Sequence, residues 1–207
     1  MRSLYQKQFA RFYDRLQARY AAAIEPRKRE LFAGLSGGTV VEIGPGTGAN
    51  LELLAGCERW IGIESNPHMH EPLARRAREL ELETEFVVGN AQRIELAAGV
   101  ADYAVSTLVL CSVIDPARVL SEIRRILRPG GRFLFIEHVA APAGGWLRRW
   151  QRLMYPVWCV IGDGCRTTCE TGTAIRKAGF STVVIEEFLA EAVPPWVRPH
   201  IAGYAVR

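Results

Sequence analysis

The sequence predicts a single α/β domain on a mostly parallel seven-stranded sheet with a C-terminal antiparallel hairpin strand. Three observations predict it. Short β-branched runs of about five residues alternate with helical patterns through the middle of the chain. The first of these runs ends in a glycine-rich turn. The last two strand-like runs have no helical pattern between them, so they form a hairpin.

The chain has 207 residues, of which 49% are hydrophobic and 23% charged, the balance of one globular domain rather than of a disordered segment. Residues 1–36 read as helices. Apolar positions Leu4, Phe9, Phe12, Tyr13, Leu16 and Tyr20 recur at helical spacing, and the helix is expected to end before Pro26. A second short helix is expected from Arg27 to Leu35, stopped at Gly37-Gly38.

The alternation then begins. Strands are expected at 39–43, 60–64, 84–88, 103–108 and 132–137, with helices at 50–55, 67–80 and 116–127 between them. Residues 139–172 break the rhythm as an insertion between strands five and six. Its Trp146–Ile161 stretch mixes aromatic and apolar residues with Arg148, Arg149 and Arg152. A helix at 171–178 and strands at 182–188 and 201–206 complete the chain.

The net charge of +4 is carried mostly by arginine. Arg75-Arg76-Ala77-Arg78 and Arg124-Arg125 lie within helical patterns and read as solvated faces, and no nucleic-acid partner is expected. The five cysteines form no CxxC pair, which argues against a disulfide framework and for a reducing compartment. With no signal peptide and no long apolar run, the chain is expected to be soluble and cytoplasmic. Peripheral membrane contact through an amphipathic segment stays open, and oligomeric state is not legible.

Gly44-Pro45-Gly46-Thr47-Gly48-Ala49-Asn50 stands between the first strand and the following helix. Glycines there let the backbone turn sharply and approach a ligand. By spacing, Gly44-x-Gly46-x-x-Ala49 also fits a dinucleotide fingerprint, and Glu64 ends the second strand where a ribose-binding acid belongs in either scheme. Glu42, just before the glycines, is suited to pair with an ammonium, a group that a nicotinamide dinucleotide lacks. Asn90 and Gln92, flanking Ala91, are placed to hydrogen-bond adenine edges.

These motifs resemble class I methyltransferases: Val41–Gly48, Gly62–Pro67 and Leu127–Gly131. A closer likeness covers most of the chain, to the family that includes the membrane-associated alkyl thiol S-methyltransferases of animals. It rests on Lys28–Phe32, Gly48–Asn50, Thr107–Val113, Glu137–Ala140, Gly162–Cys165 and Arg198–Ile201. The chain departs from the family at Arg166-Thr167-Thr168-Cys169-Glu170, where Cys169 replaces an expected arginine.

The resemblance implies a Rossmann-like fold and S-adenosyl-L-methionine as cofactor, held by Glu42, Gly44, Gly46, Gly48, Asn50, Glu64, Ser65, Asn90, Ala91, Gln92 and Leu108. It implies a small, hydrophobic acceptor, with a thiol preferred. Alternatives are a quinone or phenolic acceptor, a phospholipid amine, a nicotinamide-dependent oxidoreductase, or a non-catalytic nucleoside-binding module. Asp163 between two glycines, His138 at the end of strand five, and His200 before the last strand are the candidates for proton transfer or substrate orientation. Cys111 reads as a small buried hydrophobe. Cys165 and Cys169 lie four apart and with His138 could be called a metal site, but no zinc spacing is matched and no metal is expected.

Overall fold

The computed structural model describes residues 2–82, 84–191 and 193–207, with the side chains of residues 2–4, 11–17 and 19 outside the described set. The expected apolar positions Leu4, Phe12, Tyr13 and Leu16 therefore lie outside it. Seven strands form one sheet: β1 (Thr39–Ile43), β2 (Arg59–Glu64), β3 (Thr84–Val88), β4 (Ala101–Thr107), β5 (Leu127–His138), β6 (Thr182–Leu189) and β7 (Pro199–Val206). Their order is β3-β2-β1-β4-β5-β7-β6. Strands β1 to β5 pair in parallel, and β7 lies antiparallel between β5 and β6. From β1 the chain runs outward to β3, then returns to β4 on the other side. Such a reversal opens a crevice beyond the carboxyl ends of the strands.

Helices α1 (Arg2–Phe32), α2 (Leu51–Leu54), α3 (His70–Glu79), α4 (Pro116–Ile126), α5 (Trp146–Ile161) and α6 (Thr171–Lys177) flank the sheet. Successive side chains of a strand point to opposite faces. Val41 and Ile43 accordingly join a core with Phe133, Phe135 and the α4 residues Val119, Leu120 and Ile123. Val40 faces the other way, with Phe32, Leu51 and Leu73. Helix α4 starts cleanly because the Asp115 side chain accepts from Arg118 N at 3.0 Å and Pro116 needs no amide partner.

Three expectations are corrected. Helix α1 does not end before Pro26 but runs through it as one element. Ile24, Lys28 and Phe32 are all at most 3% exposed at four-residue spacing, so packing of this face outweighs the hydrogen bond lost at proline. Strand β5 begins at Leu127 rather than Arg132, with an irregular register against Ala101 and Tyr103. Strand β7 begins at Pro199, so His200 lies within it, directly opposite His138 of β5.

Candidate active site

A cavity of about 310 Å³ lies over the crevice. Its floor comes from the turns that follow β1 to β4, and its cover from α1 and the end of α5. Among the described residues, the positive-φ positions other than glycine are Glu81, Leu108 and Asp163. The last two line this cavity, at φ 60° and 47°. Unfavourable backbone of this kind concentrates where a site is being shaped.

At one end, Gly44 and Gly46 have φ of 63° and 56°. A Cβ on Gly44 would fall 2.6 Å from Val109 Cγ2, so the turn packs against the loop after β4. Glu64 ends β2 and lines the cavity. Its carboxylate accepts from Gly46 N at 3.1 Å and Asn66 N at 2.7 Å, which fixes its orientation. Burial raises its pKa against the pull of these two amides. Ser65, Asn90, Ala91 and Gln92 continue the same wall. Asn90 Oδ1 accepts from Gln92 N at 2.9 Å, and Gln92 Oε1 accepts from Asp115 N at 3.3 Å. The carbonyl ends of both amides thus hold the wall itself, and their NH₂ ends are what they offer a ligand.

Glu42 is a correction. It is buried behind the turn and does not line the cavity. Its carboxylate accepts from Asn50 Nδ2 at 2.7 Å and Trp60 Nε1 at 3.0 Å, so it anchors α2 and β2 to the turn. Burial pushes its pKa up to about 7 against these donors and the Lys28 charge. Asn50 also lies off the cavity wall, and its Oδ1 is buried without a partner. Gly48 is off the wall too, because it serves packing. A Cβ there would lie 2.8 Å from both Leu51 and Leu73.

The other end is lined by Leu108, Val109, Cys111, Trp158, Asp163 and Cys165, with Phe9 and Tyr20 from α1. Glu137, fully buried, holds this end in shape. Ser106 Oγ and the amides of Val109 and Leu110 donate to its carboxylate at 2.6, 3.2 and 3.0 Å. Arg166 donates to the carbonyls of Cys111, Val113 and Ile114, clamping the same loop from outside.

Neither histidine touches the cavity; both are buried beneath it. His138 Nδ1 lies 3.6 Å from Cys165 Sγ, and its Nε2 lies 3.4 Å from Trp196 O. Burial disfavours the charged ring, but the Cys165 and Cys169 thiols outweigh it and raise the pKa. Cys165 is lowered, by its contacts with Cys111 and then His138. His200 Nε2 lies 2.6 Å from the Tyr20 hydroxyl and its Nδ1 lies 2.8 Å from Arg198 O. The backbone carbonyl can only accept, so Nδ1 donates and Nε2 accepts from Tyr20. Burial lowers His200 to about 4.

Asp163 is the one proton-transfer candidate that the structure places in the cavity wall. Sequence reasoning took Tyr20 for an apolar helix position, set Cys165 aside with Cys169, and missed that Cys111 and Cys165 share the cavity wall. Cys111 and Cys165 sit in Thr107–Val113 and Gly162–Cys165, two of the segments that carry the wider resemblance, and that was the available signal.

A sequence profile for a methyltransferase domain matches residues 41–135. Human thiol S-methyltransferase TMT1A is 39% identical over 212 aligned residues, covering 97% of this chain and 86% of that protein. Human thiol S-methyltransferase TMT1B is 42% identical over 199, covering 89% and 80%. The chain belongs to this methyltransferase family. The methyltransferase also shares its fold with a Thermotoga maritima protein described as an S-adenosylmethionine-dependent methyltransferase and possible histamine N-methyltransferase. That likeness has a TM-score of 0.71 at 23% identity and covers 98% of each chain. The cofactor of this methyltransferase is S-adenosyl-L-methionine. The donor set lining the cavity fits it: Glu64 would take the ribose hydroxyls, the Gly44–Gly46 turn the amino-acid arm, and the Asn90–Gln92 wall the base.

Proposed function

We propose that this methyltransferase moves the methyl group of S-adenosyl-L-methionine to the sulfur of a small, apolar thiol. The carrying observation is the composition of the acceptor end. One carboxylate, Asp163, stands in a mostly apolar wall of Leu108, Val109, Trp158 and Phe9, with the sulfurs of Cys111 and Cys165 and the hydroxyls of Tyr20 and Ser112. The likeness to TMT1A and TMT1B supports the same acceptor class.

When bound, the cofactor supplies a methyl group already activated on a positively charged sulfur. The chain's own task is to position a nucleophile and remove its proton. A thiol of pKa about 8.5 is only a few per cent thiolate at neutral pH, so a carboxylate in the wall has work to do. Asp163 takes the proton, since it lines both the cavity and an outer groove. Tyr20 donates its own proton to His200, so its oxygen faces a ligand only as an acceptor and helps orient an S–H. His138 acts through Cys165 as a positioning residue.

Within a single domain, residues 1–36 serve as lid through Gln6, Phe9 and Tyr20, and the 139–172 insertion supplies Trp158, Asp163 and Cys165. No helix among the described residues is long and apolar enough to cross a membrane. Helix α5 does expose Trp146, Trp150, Leu153, Val157 and Ile161 beside Arg149 and Arg152. That stripe supports a peripheral contact with a lipid surface, from which apolar acceptors would enter. The five unpaired thiols support a cytoplasmic setting.

The test is methyl transfer from labelled cofactor to a short aliphatic thiol, a phenol of equal size, and phosphatidylethanolamine vesicles. We expect the thiol to be methylated at least tenfold faster. Transfer to the phenol or the amine with none to the thiol overturns the reading.

A further inference from the structure

Three ligating side chains, remote in sequence, meet beneath the acceptor end of the cavity. Cys111 follows β4, His138 ends β5, and Cys165 follows α5. One ligand atom from each lies within 4.8 Å of the other two. The spacing in sequence matches no zinc pattern because the sheet, not a local loop, collects them.

The geometry is close to a coordination shell. With Zn–S about 2.3 Å and Zn–N about 2.0–2.1 Å, a sulfur and a nitrogen on one tetrahedral ion stand about 3.5 Å apart. His138 Nδ1 and Cys165 Sγ stand 3.6 Å apart. The other ring nitrogen, Nε2, is directed at Trp196 O at 3.4 Å. That contact makes Nε2 the protonated nitrogen and leaves the Nδ1 lone pair for a ligand role, as in the outer contacts that orient metal-bound histidines. Cys169 lies outside this group, and its thiol donates to His138 O at 3.1 Å, while that of Cys111 donates to Leu108 O at a looser 3.6 Å.

We propose that Cys111, His138 and Cys165 bind one thiophilic divalent cation of the Zn²⁺ type, with its fourth position open to the cavity for the acceptor's sulfur. Two thiolates and a neutral imidazole balance a doubly charged ion, the condition for holding charge in a buried place. Cys111 and Cys165 both line the cavity while His138 lies behind it, so the uncovered side of the triangle is the cavity side. Three protein ligands with one open position is the arrangement of reactive rather than structural zinc.

The use of the fourth position rests on the thiol reading above. On coordination the acceptor's S–H bond breaks, its proton leaves to solvent by way of Asp163, and the sulfur keeps the electron pair. That pair then forms the new S–C bond as the cofactor's S–CH₃ bond breaks and its electrons return to the cofactor's sulfur.

The test titrates the full chain, purified reduced and metal-free, with Co²⁺. We expect one ion per chain, a thiolate-to-cobalt charge-transfer band and the visible bands of tetrahedral cobalt, all bleached by Zn²⁺. Cys165→Ser should weaken binding at least tenfold while Cys57→Ser leaves it unchanged, with S-adenosylhomocysteine binding by calorimetry as the folding control. Absence of the charge-transfer band in the wild type overturns the site, whatever the variant does, as does an identical titration in folded Cys165→Ser. Adding a short aliphatic thiol should strengthen the charge-transfer band. Thiol methylation at full rate by metal-free protein that shows no cobalt band defeats the metal site and leaves the thiol reading standing. Metal binding with no spectral or catalytic response to thiols confirms the site and defeats the thiol reading.

Discussion

The Tyr20 hydroxyl and His200 Nε2 lie 2.6 Å apart and join α1 to β7 across 180 residues of chain. Because His200 Nδ1 already donates to Arg198 O, the ring must stay neutral for Nε2 to accept from Tyr20. Tyr20→Phe leaves a buried acceptor unpaired and should cost about 1–3 kcal/mol in urea unfolding. It should also raise KM for the acceptor while leaving cofactor affinity within twofold, because Tyr20 is the only member of the pair in the cavity wall.

The same pair makes a pH prediction. His200 is lowered from 6.5 to about 4 by burial. Between those values the unfolded chain binds a proton that the folded chain refuses. Its contribution is therefore intact above pH 6.5 and is lost as pH falls toward 4, roughly 3 kcal/mol over the window. Glu42 and Glu137 slope the opposite way, so the quantity to read is the wild-type unfolding free energy minus that of His200→Gln. A pH-independent difference would mean that the ring is not held neutral.

Glu64 makes the cofactor prediction. Its carboxylate is oriented by Gly46 N and Asn66 N and faces the cavity. Glu64→Gln should weaken S-adenosylhomocysteine binding about ten- to a hundredfold, the scale of hydrogen bonds to a charged group at about 1.5–3 kcal/mol. Calorimetry checks it, and an unchanged Kd removes the ribose assignment.

What the sequence made legible follows from how local each signal was. The parallel strands announced themselves through runs such as Thr39–Ile43, and Glu64 through its place at a strand end after a glycine turn. Glu42 was misplaced because its chemistry suits an ammonium equally well, and only packing shows Trp60 and Asn50 already using it. Pro26 misled for the converse reason, since burial of Ile24 and Phe32 is tertiary. The histidines were visible as chemistry, but only the β5–β7 register shows them facing one another below the site rather than in it. Cys111, His138 and Cys165 come together from three different elements, which no spacing rule reports.

Asp163 stands at φ 47° after α5, in reach of the cavity. Asparagine tolerates that backbone and keeps the shape while losing the charge. Asp163→Asn should lower kcat/KM for a thiol by about a hundredfold, the usual scale of general-base loss, with S-adenosylhomocysteine affinity unchanged. Its rate should then rise with pH from 6 to 9 as the thiol ionises without the carboxylate to take its proton. A variant with the wild-type rate and pH profile would make Asp163 a turn residue only.

Glu137 fixes the shape of the acceptor end and should show it twice. Its two oxygens receive Ser106 Oγ, Val109 N and Leu110 N, and so hold the segment that carries Leu108 and Cys111. In Glu137→Gln one oxygen becomes an NH₂, which must oppose at least one of these donors, at a cost of about 1–3 kcal/mol. Burial raises the carboxyl from 4.5 to about 7. Between those values the folded chain keeps a proton that the unfolded chain has released. This group's contribution is thus complete below pH 4.5 and is lost as pH rises through 7. Glutamine cannot titrate, so the variant's deficit against wild type should shrink as pH rises from 4.5 to 7.5, with thiol turnover impaired throughout. Parallel melting curves and full turnover would show that the loop after β4 holds its shape without the carboxylate.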